Sequence, residues 1–363
     1  MNILNSTTTP FYKKLTFILV SLLIAGYIAI IAKELLCPLL FSMLFSIVLL
    51  PIASFLEKKL HFPRSLSSFS TLVLFIGSLF LIFYLLGSQI SNLMEDWPLF
   101  KTQLYSSLES LQVWIAGEYH INAHKQIKYL NQATTEVMSS GGTILSSTIH
   151  SLSSVVLFLV FTMIDVFFLL LYRRHILRFL VAVFKEEHAR VVYAIVAQVQ
   201  LIIRKFIIGL LIELTIVTVI VCIAFVVLGI KYGILLGLLT GILNLIPYLG
   251  IFTALIISLL ITFATAASTA KVLIVAVVIF VVHLLDSNIL LPIVVGSKVK
   301  INALMAVIGV FIGEMIWGIP GMFLSIPVLA VMKVIFDRIE SLQPWGILLG
   351  EESKENPITV SKL

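Results

Sequence analysis

Charge is what this chain has least of. Only 12% of its 363 residues are charged, against about 25% in ordinary soluble domains, while 60% are hydrophobic. One core cannot bury that much apolar surface, so the solvent for most of it must be lipid. Cysteine is nearly absent: Cys37 and Cys222 lie in or beside apolar runs, which excludes a disulfide framework and a cysteine metal centre. The chain also lacks a GxxxxGKS/T phosphate loop, a histidine-rich metal motif and a serine elbow. These absences argue against an enzyme and imply no cofactor; an ATP-driven pump would need its ATPase on another chain. A net charge of +6 raises nucleic-acid binding as an alternative. The basic residues flank apolar runs rather than forming one patch, so no nucleic-acid partner is expected.

What is there is a series of apolar runs near the roughly 20 residues a spanning helix needs. Leu15 to Ala32, Leu35 to Leu56, Leu66 to Leu86, Leu152 to Tyr172, Phe206 to Leu228 and Val272 to Leu291 each qualify. The first follows Lys13-Lys14 and imitates a signal peptide, but Lys33-Glu34 stands where a small-residue cleavage site would be, so it reads as a retained span. Lys13 and Lys14, then Lys58, Lys59 and Arg64, then Arg173, Arg174, Arg178, Lys185 and Arg190 all fall on one side if the N-terminus is cytoplasmic. The C-terminus is then cytoplasmic as well.

The domain plan follows. Residues 1–86 hold three spans, and 87–151 form an extracytoplasmic helical region. In that region Trp97, Phe100, Leu104, Leu108, Leu111 and Ile115 recur every three or four residues as an amphipathic helix. A second helix is expected around Ile127 to Met138, and Ser139 to Gly142 reads as a joint. Residues 152–342 form a core containing a cytoplasmic amphipathic helix at 185–205, striped by Val192, Ile195, Val199 and Ile202. That helix is expected to lie along the anionic leaflet before turning into the next span. A polar cytoplasmic tail occupies 343–363.

Two apolar stretches are shorter and interrupted. The first, 233–267, passes Gly241, breaks at Ile246-Pro247-Tyr248 and resumes at Gly250; the second, 303–333, breaks at Gly318-Ile-Pro320-Gly321, with Pro327 further on. Given the span count, the first opens from the outer side and the second from the inner side. Proline removes an amide donor and disfavours helix at the preceding residue, so carbonyls near Pro247 are left free beside Asn244 and the Tyr248 hydroxyl. Irregular backbone at that depth is tolerated only inside protein or at a wet cavity. Opposed broken hairpins suggest a transport site at the midplane; two ordinary tight helical pairs are the plainer reading. Whether the first hairpin is re-entrant or crosses a thinned region stays open at this stage.

Asp165, Glu213, His283, Asp286 and Glu314 lie in or at the ends of apolar segments. A mid-bilayer acid costs at least ~2.5–3.5 kcal/mol on insertion scales, so each needs a partner, water or a function. Glu213 is deepest, and Glu314 follows it as a candidate for binding a coupling ion. Asp165 precedes Arg173 and Arg174 as a possible structural partner. His283 and Asp286, three apart, share a helix face as a proton relay or an interfacial pair.

Gly241-Ile-Leu-Asn-Leu-Ile-Pro-Tyr-Leu-Gly250, Asp286-Ser-Asn288-Ile-Leu-Leu-Pro292 with Gly296, and Trp317-Gly-Ile-Pro-Gly-Met322 with Ile326-Pro327 together carry a resemblance. The chain is similar over most of its length to the autoinducer-2 exporter-like, or PerM-like permease, family of bacterial inner-membrane proteins. The resemblance implies a homo-oligomeric secondary transporter, exporting a quorum-sensing signal or exchanging sodium or lithium against protons. The expected fold is an all-α polytopic membrane protein of about six full spans with two Gly/Pro-broken hairpins. The expected partners are the lipid bilayer, further copies of the chain, and a small solute with or without a proton or sodium ion. The pathway candidates are Glu213, Asn244, Pro247, Tyr248, Gly250, Asp286, Asn288 and Glu314. Gly241, Pro292, Gly296, Gly318, Pro320, Gly321 and Pro327 are the hinge candidates. A non-transporting scaffold that binds a partner through the outer helices is the alternative from another class.

Overall fold

The computed structural model describes residues 11–96, 98, 102, 106, 154–184, 188–246, 249–265, 269–290, 292–293 and 301–351. The stripe from Trp97 to Ile115, the helix near 127–138 and the joint at 139–142 lie essentially outside them, as do Pro247, Tyr248 and Gly296. The described chain is all helix apart from short connections and one antiparallel bridge. We number its elements α1 (Phe11–Ile31), α2 (Lys33–Lys59), α3 (Arg64–Glu95), α4 (Ser154–Val183), α5 (Ala189–Val227), α6 (Gly233–Leu243), α7 (Leu249–Thr265), α8 (Thr269–Leu285), α9 (Ala303–Trp317), α10 (Ile319–Arg338) and α11 (Gln343–Leu349). A π turn, Asp286–Leu290, extends α8.

Among the described residues six helices are long and apolar enough to cross a membrane: α2, α3, α4, α5, the α8 segment Ala270–Leu290, and α10. The number matches the sequence expectation but the membership differs. The apolar part of α1 is only Leu15–Ile31, whereas the returning limb of the second hairpin, α10, reaches 20 residues. That is about 30 Å of helix, a full hydrocarbon core.

Three further departures are local. The amphipathic helix at 185–205 does not turn before the fifth span. It is the first half of α5, one helix of 39 residues, because no glycine or proline interrupts residues 189–208 and the apolar stripe runs on in phase. Helix α3 continues past Leu86 to Glu95, Gly87 being tolerated within it. The tail from Gln343 begins as the ordered helix α11, whose Leu349 carbonyl accepts from the Asn302 amide at 2.8 Å while Gly350 bridges to Ile301. Gly346 and Leu349 are its buried residues.

Helix α5 is the spine. Along its first half, Ile203, Phe206 and Ile207 pack with Cys37 and Leu44 of α2 and with Trp317 and Leu324 of the second hairpin. Along its second half, Val217, Val221 and Phe225 pack with Leu236, Ile251, Val275 and Ile279 from α6, α7 and α8. The bases of the two hairpins lie at opposite ends of the bundle, as expected. Tyr232, just before α6, contacts Asp96 at the end of α3, while Arg338 at the end of α10 donates to Gln198 near the start of α5. At that second end Arg173 of α4 donates to Glu57 of α2 at 2.5 Å, both largely buried.

Helix α6 lies against α5 along a glycine track. Gly233, Gly237 and Gly241, four apart, face Phe225, Cys222 and Thr218 in turn, a small-residue contact that lets helix backbones approach. A Cβ on Gly237 would stand 2.3 Å from the Cys222 sulfur and 2.8 Å from its backbone nitrogen. In the second hairpin Gly318 takes φ +69°, open to glycine without strain, and breaks the helix between α9 and α10. Pro320, in the first turn of α10, costs no internal hydrogen bond there.

Gly237→Val is expected to cost about 1–3 kcal/mol through overpacking, read as a lower melting temperature of the purified protein in detergent. Gly26→Ala, at a position with no atom within 4 Å of the added carbon, is expected to leave it unchanged.

Candidate functional site

Two helices present matching faces. On α5, Glu213, Val217, Val221 and Phe225 recur every four residues and are buried. On α8, Val275, Ile279 and Val282 lead to Asp286 at three- and four-residue steps, also buried. The helices run antiparallel, and Lys271 sets their register by donating to the Gly229 carbonyl at 2.9 Å. From that contact Asp286 lies fifteen residues on and Glu213 sixteen residues back, each about 23 Å away at 1.5 Å per residue. The two acids therefore arrive at one level.

The third member comes from the broken hairpin. Helix α6 has only 11 residues, about 16 Å, or half of a ~30 Å hydrocarbon core. It is too short to cross that core by itself. Asn244 caps its end, and the Asn244 amide donates to Glu213 Oε1 at 3.3 Å and to Asp286 Oδ2 at 3.1 Å. The glycine track is what permits this, since a bulkier α6 would hold Asn244 away from α5. Gly250 completes the turn: a Cβ there would fall 1.8 Å from the Leu243 carbonyl oxygen, so α7 starts directly against the end of α6.

Glu213 is 2% exposed and Asp286 7%. Each keeps one oxygen, Glu213 Oε2 and Asp286 Oδ1, buried with no hydrogen-bond partner. Two carboxylates sharing one neutral amide in an apolar enclosure are poorly compensated as a pair of anions. The arrangement accepts a positive species, either a proton shared between the acids or a small cation held by the two free oxygens. Asp286 also opens the π turn, a local widening that often marks functional positions in helices.

Glu213, Asn244, Gly250, Gly241 and Asp286 are thus brought together. Asn288 is not: it is exposed and its amide donates to the Leu284 carbonyl at 2.8 Å. Pro292 is exposed beyond the π turn. Glu314 is exposed on α9 and shares no hydrogen bond with the cluster among the described residues, its carbonyl receiving the Gly318 amide. Gly318, Pro320, Gly321 and Pro327 belong to the second hairpin, whose break lies beside α1, where the Trp317 indole donates to the Ala29 carbonyl at 2.9 Å. Among the described residues, no hydrogen bond joins the second hairpin's break to the Glu213–Asn244–Asp286 cluster. Arg173 takes Glu57 rather than Asp165 as its partner, and His283, half buried, keeps its Nδ1 unpaired one turn before Asp286.

Two contacts have no sequence signal: Glu57 with Arg173, and Asp96 with Tyr232. Neither residue type nor spacing distinguishes them, because their partners are 116 and 136 positions away.

A family model described as AI-2E family transporter matches residues 17–341. Over 64 residues the chain is 34% identical to a Bacillus subtilis (strain 168) protein described as "Putative transport protein YrrI". That stretch covers 18% of each chain.

Asn244→Leu removes both bridging hydrogen bonds and is expected to destabilise the protein by about 1–3 kcal/mol. Glu213→Gln, which takes one negative charge out of the enclosure, is expected to hold or raise the melting temperature. Thermal melts in detergent check both signs.

Proposed function

The chain belongs to the AI-2E transporter family, and we propose that it is a secondary transporter driven by a proton or sodium gradient, with Glu213, Asn244 and Asp286 as its coupling site. The observation that carries this is the pair of buried acids bridged by one amide, each with an unpartnered oxygen. Binding and release of a proton or cation changes the charge of that enclosure by one unit. The change in favourable contacts is then large enough to bias a moving element. Asn244 stands at the C-terminal, partly negative end of a half-helix, which adds to the attraction for a cation.

The cargo in this reading is a small polar solute such as a quorum-sensing signal, moved outward, and the break after Asn244 is where backbone meets it. A second reading, sodium or lithium exchange against protons with no organic substrate, draws on the same cluster, whose described ligands are two acids and an amide. The chain sits in the bacterial cytoplasmic membrane with both termini inside, on the strength of the basic residues at the Glu57 end. The broad apolar exposure of α1 and α3 supports assembly with further copies as well as contact with lipid.

Reconstituted protein tests the assignment. Glu213→Gln and Asp286→Asn are each expected to cut gradient-driven flux at least about tenfold, the equivalent of ~1.4 kcal/mol of lost differential stabilisation. Glu314→Gln, outside the cluster, is expected to keep most of it. Unchanged flux in both cluster variants would sink the coupling role. Pulses of sodium, lithium and potassium against an entrapped pH dye separate the readings, since proton movement without organic solute belongs to the exchanger alone.

A further inference from the structure

The α5–α6 connection, Gly229 to Tyr232, is held more tightly than a surface linker requires. Tyr232 takes φ +63°, the left-handed region that non-glycine residues adopt only at a cost. Such a conformation persists when its surroundings over-determine it, and here they do. The Tyr232 hydroxyl donates to Asp96 Oδ2, at the end of α3. Lys231 pairs with the same Asp96 oxygen at 2.9 Å and lies over the Tyr232 ring, 5.2 Å from its centroid. From the other side Lys271 holds the Gly229 carbonyl.

Tyr232 caps the start of α6, and Asn244 caps its end. Between them runs one uninterrupted helical segment whose face toward α5 is the glycine track, with Leu236 beside it packed in one core with Val217, Val221 and Phe225. The Thr240 hydroxyl bonds back to its own helix at Leu236. In the first turn the Cys222 thiol of α5 donates to the Ile234 carbonyl at 3.6 Å, and the charged partners of this helix stand at its two ends: Asp96 at one, and the acids Glu213 and Asp286 at the other.

We propose that Asp96 and Tyr232 are positioning residues for the buried cluster: their contact seats the α5–α6 connection and thereby holds Asn244 between Glu213 and Asp286 through the rigid length of α6. Loss of that contact frees the left-handed turn, lets α6 shift along its track and withdraws the shared amide. The contact is a strut across the neutral range rather than a pH sensor. The Tyr232 hydroxyl, then Lys231, hold the Asp96 carboxyl below the ordinary aspartate value of 3.8. A group with a lowered folded value gives its stabilisation above the ordinary value and loses it only as pH falls through the lowered one.

The two cysteines provide the test. Cys222 lies under Gly237 in the track, whereas Cys37 is buried in α2, in the cluster around the first half of α5. In the full-length protein in liposomes, Tyr232→Phe and Asp96→Asn are expected to speed maleimide labelling of Cys222 about fivefold while leaving Cys37 as slow as in the unaltered protein. Carbodiimide labelling of Glu213, read by mass spectrometry, is expected to rise in parallel. Unchanged Cys222 and Glu213 labelling overturns the proposal, and so does equal acceleration at Cys37, which marks general loosening. The readout is chemical access, so it stands apart from the coupling role on which the inference rests: normal flux in Glu213→Gln removes that role and leaves the labelling result to be judged by itself.

Discussion

Two acids enclosed by apolar side chains cannot both remain anionic at low cost unless something positive joins them, and the first half of the membrane architecture serves that constraint. The Coulomb penalty between like charges grows as the local dielectric falls, and Glu213 and Asp286 sit among valines and isoleucines that exclude water. A lysine or arginine in reach would have neutralised the pair permanently. The structure supplies a neutral amide instead, which orients both carboxylates and leaves one oxygen on each free. A fixed salt bridge is a structural element; an under-compensated pair is one whose occupancy can change.

Delivering a neutral amide to that depth dictates the unusual helix. A full span would carry its polar end to the far surface. A helix of 11 residues covers only about half of a ~30 Å hydrocarbon core. Carbonyls at the end of such a helix are intolerable in lipid, which favours close backbone packing around it. Gly233, Gly237 and Gly241 provide it against α5, and Gly250 provides it against the next helix. The glycines, the short length and the buried amide are thus one solution to one problem, and each loses its purpose without the other two.

Much of this was legible in the sequence, for identifiable reasons. Spanning helices announce themselves by uninterrupted hydrophobicity, and Pro247 with the flanking glycines announced the break. Glu213 was conspicuous because an acid in the middle of a span has no cheap explanation, and Asp286 and Asn244 stood out as polar residues beside breaks. What the linear text could not supply was register. Glu314 looked equivalent to Glu213 by hydropathy, yet one helix turns its acid outward and the other inward, a difference set by packing partners far along the chain. The Asp96 contact was hidden for the same reason, and the straightness of α5 was masked by Arg204 and Lys205, which suggested a membrane boundary where the helix continues.

That continuity matters for how movement could be organised. Glu213 stands at the junction of two packing regions on one helix: residues 203–207 hold α2 and the second hairpin, and residues 217–225 hold α6, α7 and α8. A hinge within α5 would separate the acid from one of its neighbours. Helix α5 is continuous from Ala189 to Val227, so the acid and both packing regions share one helix. The acid belongs to that helix and its amide partner to the first hairpin, so the charge compensation of the cluster depends on where the hairpin sits against α5.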